Sequence, residues 1–155
     1  QWHTRDLIDY VPTGYYTGEY YNVGRAKNTG AELNAQTEIF GLDISSNLTW
    51  QNPKNRETGE QLGRRAKFFG TVNVSKTFGQ WYLGGDLQYT GHRPDGAYDE
   101  DLGSYTLVNL NARYNINKSI SLYARIENLF DKEYETVYGY NQPDRGAYVG
   151  VNVKM

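Results

Sequence analysis

The stretch that decides the fold is Thr106–Phe130, which reads TLVNLNARYNINKSISLYARIENLF. From Thr106 to Ile116 the residues alternate between apolar and polar, and the alternation resumes from Ile120 to Phe130. A period of two is the side-chain repeat of a β-strand whose two faces meet different surroundings. Each half of the stretch is therefore predicted to be one strand, and the short polar segment Asn115–Lys118 between them is predicted to be a turn.

The same alternation recurs along the whole chain. It predicts about eight strands, each near the roughly 9–11 residues that cross a bilayer obliquely. The predicted strands are Trp2–Val11, Asn28–Ile39, Gly41–Trp50, Arg64–Phe78, Trp81–Thr90, Thr106–Ile116, Ile120–Phe130 and Ala147–Met155. The first is the weakest, because Asp6 and Asp9 interrupt its alternation.

The segments between the predicted strands alternate in length. Short turns are expected near Phe40-Gly41, at Gly79-Gln80 and at Asn115–Lys118. Long polar loops are expected at Pro12–Tyr21, Gln51–Gly63, Gly91–Tyr105 and Lys132–Gly146. Short turns on one side and long loops on the other are typical of outer-membrane β-barrels.

Aromatic residues on the apolar parity form two groups, one at each end of the predicted strands. Those beside the short turns are Phe40, Phe78, Trp81 and Tyr114, and those near the long loops are Trp50, Phe68, Tyr89 and Phe130. The two interfaces of a bilayer select such aromatic bands around an aliphatic middle. A soluble barrel with its apolar face inside is the alternative, but it needs no aromatics at both rims.

Composition agrees with a barrel and excludes several other classes. The chain has 155 residues, 15 Tyr, 17 Gly and a mean hydropathy of -0.77. It contains no run of about 18 apolar residues, as a membrane helix needs, and its aromatic content is too high for a disordered chain. A net charge of -2 without a basic stripe does not favour nucleic acid. The absence of Cys excludes a disulfide framework and thiol chemistry.

Three motifs carry a resemblance to a known family. The segment Ile126–Tyr134, IENLFDKEY, resembles the penultimate strand of TonB-dependent outer-membrane receptors, and YYNVGRA followed by TGAEL within Tyr20–Leu33 looks like a second motif of that family. The run YETVYGY at Tyr134–Tyr140, together with RRAK at Arg64–Lys67, is similar to the cobalamin-transporter (BtuB-type) branch.

The resemblance implies an all-β fold: an antiparallel up-and-down transmembrane β-barrel in the outer membrane of a Gram-negative bacterium. Family members have a plug domain, a TonB box and a barrel of roughly 22 strands. Residues 1–155 are therefore expected to be the C-terminal part of such a barrel, without the plug domain and the TonB box. The alternatives are a siderophore receptor of the same family, or a free-standing eight-stranded barrel with a structural or adhesive role.

The resemblance also suggests ligand contacts and partners. Tyr140 would pack against a corrin ring, Arg64 would donate hydrogen bonds to amide or phosphate oxygens, and Tyr98 would contact the ligand from the Gly91–Tyr105 loop. The expected partners are outer-membrane lipid, cobalamin bound by the intact receptor, and TonB acting through the plug domain. Loop packing and solvent exposure are the competing interpretations of the same residues.

Metal binding and catalysis receive little support. Pro94–Asp101 carries four carboxylates, which are suitable ligands for calcium, but their spacing matches no EF-hand. No cofactor is therefore expected from this chain, and calcium is expected only somewhere in the intact receptor. His92 lies near Asp95, yet no nucleophile is placed by a motif, so an enzyme is not expected.

Overall fold

The computed structural model describes residues 2–5, 8–14, 17–22, 25–96 and 100–154, with side chains described from residue 25 onward. All the regular secondary structure in this part of the chain is β-strand. No helix in it is long and apolar enough to cross a membrane.

The described residues contain fourteen strands, and eight of them form one antiparallel sheet. Numbered along the chain and given in their order across the sheet, they are β1 (Trp2–Arg5), β4 (Arg25–Ile39), β5 (Leu42–Asn55), β6 (Phe68–Phe78), β7 (Trp81–Thr90), β10 (Tyr105–Asn115), β11 (Ile120–Glu127) and β14 (Gly146–Val153). Apart from the small hairpins inside the connections, each strand pairs with the next, as in an up-and-down barrel.

The other six strands form three small hairpins between strands of the main sheet. They are β2 (Ile8–Gly14) with β3 (Thr17–Asn22), β8 (Arg93–Pro94) with β9 (Asp101–Leu102), and β12 (Glu135–Val137) with β13 (Tyr140–Asn141). The last two lie in long connections at the same end of the main sheet. Those connections are therefore structured and not simply polar linkers.

The main sheet is open. Its edge strands are β1 and β14, and no pairing joins them among the described residues. A closed eight-stranded barrel, one of the alternatives from the sequence, would have required that pairing. An open edge exposes unpaired backbone N–H and C=O groups, which lipid cannot satisfy.

The cross-strand register places residues of one parity on one face. Apolar residues meet in rows across the sheet, such as Ile44, Val74, Gly85, Leu110, Ile126 and Ala147. Many of these side chains are uncovered, including Leu33 at 59% exposure and Val149 at 85%. The few buried apolar residues that form a core lie mainly toward the loop end: Ala26, Leu62, Ala66, Leu102 and Leu107. An apolar sheet face that no protein layer covers is the arrangement expected of a barrel wall facing lipid.

The opposite face is polar and is held by side-chain contacts. Asn47 donates to Asn34 Oδ1 over 2.6 Å, and Asn109 donates to Asp86 Oδ2 over 2.8 Å. The guanidinium of Arg125 lies 4.5 Å from the ring centroid of Tyr148 and 3.4 Å from Glu127 Oε1. The guanidinium of Arg113 lies 5.4 Å from the ring centroid of Tyr82. Polar and charged side chains on this face therefore contact one another across neighbouring strands.

The short turns occur where they were predicted, and each has a local cause. Phe40 and Gly41 both have positive φ, as a two-residue type I′ hairpin requires. Gly79 supplies positive φ in the next turn. In the third, Asn117 Oδ1 accepts hydrogen bonds from the backbone N–H groups of Ser119 and Ile120, at 2.8 and 2.9 Å.

The opening segment was predicted wrongly. Trp2–Val11 is not one strand, because only Trp2–Arg5 joins the main sheet and Ile8–Gly14 belongs to the separate β2–β3 hairpin. Much of the predicted Pro12–Tyr21 loop is therefore strand. The alternation of apolar and polar residues was weakest in this segment. Strand β2 pairs with β3 and does not extend β1 along the main sheet.

Other boundaries also shift. The strand predicted to end at Trp50 continues to Asn55, and the strand predicted to start at Arg64 begins at Phe68. The strand predicted as Ile120–Phe130 ends at Glu127, because Asn128 adopts a φ of 50° and leaves the ladder. Phe130 is consequently outside the strand, at 74% exposure.

Candidate functional site

Three long connections meet at one end of the main sheet, here called the loop end. The first loop (residues 56–67) joins β5 to β6, and the middle loop (residues 91–104) joins β7 to β10. The last loop (residues 128–145) joins β11 to β14. Side chains of the middle loop contact both neighbours, so these connections form one assembly.

Asp95 of the middle loop is the centre of that assembly. Its side chain has no exposed area, and its carboxylate accepts hydrogen bonds from Arg64 Nε at 3.2 Å and Arg64 Nη2 at 2.9 Å. Its Oδ2 also accepts from the backbone N–H of Tyr138, at 2.9 Å. A buried carboxylate is stable only when its oxygens are paired in this way. One side chain therefore links the first, middle and last loops.

Backbone contacts reinforce the link between the first and middle loops. Arg64 N–H donates to Pro94 O over 2.7 Å, and Arg64 itself has a φ of 57°, which is unusual for a residue with a side chain. Gly63 lies against Gly96, and a Cβ built on Gly63 would sit 2.7 Å from Gly96 Cα. The two glycines permit this approach because they lack side chains.

Arg93 forms a second link between the middle and last loops. It is 3% exposed, and its Nη2 donates to Glu135 O over 2.9 Å. Its guanidinium lies 5.4 Å from the ring centroid of Tyr105, which packs 4.4 Å from the ring of Tyr134. Burial raises the pKa of the Tyr134 phenol above its ordinary value of 10.0, and the neighbouring Tyr105 and Glu127 raise it further.

The Asn-Leu-Phe-Asp-Lys motif closes the start of the last loop. Asn128 Nδ2 donates to Lys132 O over 3.0 Å, and Asn128 Oδ1 accepts from Lys132 N–H over 2.9 Å. Asp131 Oδ1 accepts from the backbone N–H of Arg145, at 2.7 Å. The motif therefore has a structural role, because it ends β11 and fixes both ends of the loop.

A cavity of about 300 Å³ opens between the first and middle loops and the polar face of the sheet. Its lining is Gln51, Arg64, Arg65, Ala66, Phe69, Thr90, Arg93, Tyr105 and Thr136. Three guanidinium groups border it, and Asp95 pairs with one of them. The cavity therefore suits a ligand that presents carbonyl, phosphate or carboxylate oxygens.

The three predicted contact residues have different surroundings. Arg64 lines the cavity, but its guanidinium is also bound to Asp95 and its side chain is 41% exposed. Tyr140 is 64% exposed in the last loop, next to the turn at Gly139. Tyr98 lies outside the described residues. That these three residues contact the ligand stays a prediction.

The sequence did not indicate the roles of Asp95, Arg93 and Asn128. The dipeptide Asp95-Gly96 after Pro94 is a turn signal, and nothing local distinguishes a buried carboxylate from the solvated loop that was expected. Asn128 lay within the recognised motif, but its capping geometry depends on backbone conformation.

Candidate metal ligands are not gathered among the described residues. No group of three or more His, Asp or Glu side chains there is arranged to hold an ion. Asp95 points to Arg64, whereas Asp101 Oδ2 lies 3.2 Å from His92 Nε2 at an exposed position. The calcium expectation for the intact receptor stays untested.

Comparison with known sequences identifies the architecture. The profile of the TonB-dependent receptor-like β-barrel family matches residues 2–129. The vitamin B12 transporter BtuB of Vibrio cholerae serotype O1 is 35% identical over 161 aligned residues, which cover 97% of this chain and 25% of that protein. The chain thus spans about a quarter of the length of the curated relatives that it matches.

Solved structures agree on the fold. The copper transporter OprC superposes with a TM-score of 0.83 at 20% identity, covering 99% of this chain and 27% of OprC. The siderophore receptor PiuA from Acinetobacter baumannii superposes with a TM-score of 0.73 at 26% identity, covering 97% of this chain and 25% of PiuA.

These matches confirm the transmembrane β-barrel fold and the outer membrane of a Gram-negative bacterium as the location. Members of the family are receptors and transporters, which confirms that the chain is not an enzyme. The protein belongs to the TonB-dependent outer-membrane receptors, and its eight-stranded sheet is a partial β-barrel of that family.

Proposed function

We propose that this chain is the C-terminal barrel segment of a receptor that takes up cobalamin across the outer membrane. The observation that carries the proposal is the 35% identity to a vitamin B12 transporter along 97% of the chain. The open sheet supports the segment assignment. In a larger barrel, neighbouring strands would pair with the free backbone N–H and C=O groups at the β1 and β14 edges. The plug domain and the TonB box would then belong to parts of the receptor beyond these residues.

In this proposal the loop end faces the medium and contributes to the ligand site. Tyr140 presents an aromatic ring to the ligand, as its 64% exposure permits. Arg64 donates hydrogen bonds from the edge of the cavity, with Tyr98 as a third contact. The wall strands meet lipid outside and the plug domain inside, and TonB supplies energy through the plug domain.

A siderophore receptor is the second candidate. The likeness to PiuA favours it, since a siderophore receptor shares 26% identity over nearly the whole chain. The cavity bordered by arginines also suits an anionic iron chelate. Cobalamin is preferred because the identity to the vitamin B12 transporter is higher, at 35% against 26% for PiuA.

The test is titration of the intact receptor with cyanocobalamin, in the presence and absence of calcium. We expect saturable, tight binding that calcium strengthens. Replacing Tyr140 by Ala is expected to weaken binding by about 1–3 kcal/mol, the range for losing a buried aromatic contact. Phe130→Ala is the matched control, because Phe130 is a similarly exposed aromatic outside the proposed site.

Two results would contradict the proposal. Saturable binding of a ferric siderophore without binding of cyanocobalamin would assign the receptor to the second candidate. Equal effects of Tyr140→Ala and Phe130→Ala would remove Tyr140 from the ligand site.

A further inference from the structure

We infer that Asp95 is a positioning residue that holds the ligand-binding loops in their binding arrangement, acting through Arg64 and the Tyr138–Tyr140 segment. This inference rests on the proposed function, because it concerns how that same site is organised. Asp95 itself has no exposed side-chain area, so it acts without touching the ligand.

The geometry shows what Asp95 fixes on one side. Its two oxygens accept from Nε and Nη2 of Arg64, so the guanidinium plane is held at two points. The side chain of Arg64 is still 41% exposed and borders the 300 Å³ cavity. The guanidinium therefore lines the cavity in an orientation that a buried anion sets.

On the other side, Asp95 fixes the last loop. Its Oδ2 accepts the backbone N–H of Tyr138, two residues before Tyr140. Tyr138 and Gly139 form the turn between β12 and β13, and Gly139 N–H donates to Glu135 Oε2 over 3.0 Å. The exposed Tyr140 ring thus extends from a turn that is tied to the buried carboxylate.

Holding the loops in the binding arrangement before the ligand arrives is expected to raise the affinity for the ligand. When only a fraction of receptors holds the loops in the binding arrangement, the apparent Kd rises by the inverse of that fraction. Binding must then also order the loops, which costs conformational entropy. Loss of Asp95 is therefore expected to weaken binding even though no ligand contact is removed.

The experiment uses the intact receptor with Asp95→Ala and Asp95→Asn. The Asn side chain keeps an oxygen that can accept from the Tyr138 N–H, but it loses the negative charge. If Asp95→Ala does not fold, Asp95→Asn provides the test. Asp101→Ala is the matched control, because Asp101 lies in the same loop with its carboxylate exposed, 3.2 Å from the exposed His92 Nε2. Folding of each variant is checked by heat-dependent gel mobility.

The first readout needs no ligand. Spin labels at Glu60 in the first loop and Asp144 in the last loop report the distance distribution between the loops. We expect a narrow distribution in the parent receptor and in Asp101→Ala, and a broad one in Asp95→Ala. An unchanged distribution in both Asp95 variants would overturn the inference.

The second readout is the Kd for cyanocobalamin. We expect Asp95→Ala to raise it about tenfold, as when the binding arrangement falls to a tenth of the population. The effect of Asp95→Asn should be smaller. In a double-mutant cycle, Arg64→Ala should cost much less once Asp95 is already Ala, because Arg64 is no longer oriented.

The two readouts separate the inference from the function on which it rests. If the parent receptor does not bind cyanocobalamin but Asp95→Ala broadens the distances, the cobalamin assignment fails and the loop-holding role of Asp95 stands. If the distances broaden while the Kd stays at the parent value, Asp95 holds the loops but does not position the site, and the inference is wrong.

Discussion

The wall and the loop end of this molecule are specified in different ways. In the wall, each residue lies opposite a partner fixed by the register, and the face it occupies follows from its parity alone. At the loop end, the decisive contacts join residues far apart in sequence, since Arg64 and Asp95 are 31 positions apart and Asp95 and Tyr138 are 43 apart. A repeating rule builds the wall, and a few individual side chains build the loop end.

The difference has a physical origin. Along the wall the environment is either lipid or lumen, so many side chains satisfy each position and the hydrogen bonds come from the backbone. At the loop end the backbone leaves the ladder, and its polar groups need other partners. Asp95, Arg93 and Asn128 provide those partners. The effect of a substitution in the wall should therefore depend on the parity of the residue. At the loop end it should depend on the individual contacts that the side chain makes.

The largest effect is expected from a charge placed on the apolar face of the wall. Val74, near the middle of β6, points to the apolar face, and Asn73 beside it points to the polar face. Val74→Arg should destabilise the folded receptor by about 2–4 kcal/mol, because the charge enters the middle of the lipid. The measurement is the folded fraction in lipid vesicles at increasing urea concentration.

Asn73→Arg is the control for that prediction. It adds the same side chain one residue away, where a polar cavity of about 350 Å³ borders the wall. We expect a much smaller loss of stability. Equal losses for the two variants would show that parity does not decide which residues meet lipid.

The next effect is expected at the loop end, from the contact between Gly63 and Gly96. A Cβ on Gly63 would lie 2.5 Å from Asp95 O and 2.7 Å from Gly96 Cα, both backbone atoms. Gly63→Ala should lower the free energy of opening the first and middle loops by about 1–3 kcal/mol, as overpacking does. Amide hydrogen exchange in residues 56–67 and 91–104 should therefore accelerate, with exchange in β6 and β7 unchanged.

Gly103→Ala provides the comparison, since a Cβ at Gly103 meets no atom within 4 Å. It should leave exchange in both loops at the parent rate. The account of the loop end would be wrong if Gly63→Ala had no more effect than Gly103→Ala.

The smallest effect is expected from pH, through Tyr134 in the last loop. Because the folded pKa of Tyr134 is raised above 10.0, the folded state holds its proton more tightly than the unfolded chain does. Its contribution to stability is therefore complete below the unfolded pKa and is lost as pH rises through the folded pKa. The difference in tyrosinate absorbance between the parent and Tyr134→Phe should give a midpoint above 10.0. A midpoint at or below that value would contradict the burial of this ring.

The wall was largely predictable from sequence, and the reason is local. Alternation in Thr106–Phe130 and Trp81–Thr90 located strands and faces, because a side chain's direction in a strand depends only on its parity. Boundaries were less predictable. Asn128 leaves β11 through a backbone conformation that alternation does not encode, whereas β5 continues to Asn55 by pairing with β4.

The site was predictable only in outline. The resemblance in the last loop and at Arg64 pointed to the loop end of the sheet, where Arg64 borders the cavity. That this end binds the ligand stays a prediction. The pairing of Arg64 with Asp95 was not predictable, because a carboxylate among acidic neighbours has the sequence pattern of a solvated loop. Only the folded chain shows that Asp95 is buried and Asp101 exposed.

The central claim is that one parity of the wall faces lipid and the other faces the lumen. The most direct test is a single-cysteine spin-label scan of β7 in the intact receptor, measuring collisions with oxygen, which concentrates in lipid. The chain contains no Cys of its own to interfere. We predict a period of two, with collision maxima at Leu83, Gly85, Leu87 and Tyr89 and minima at Tyr82, Gly84, Asp86 and Gln88. Maxima at the second set, or no period of two, would contradict the account.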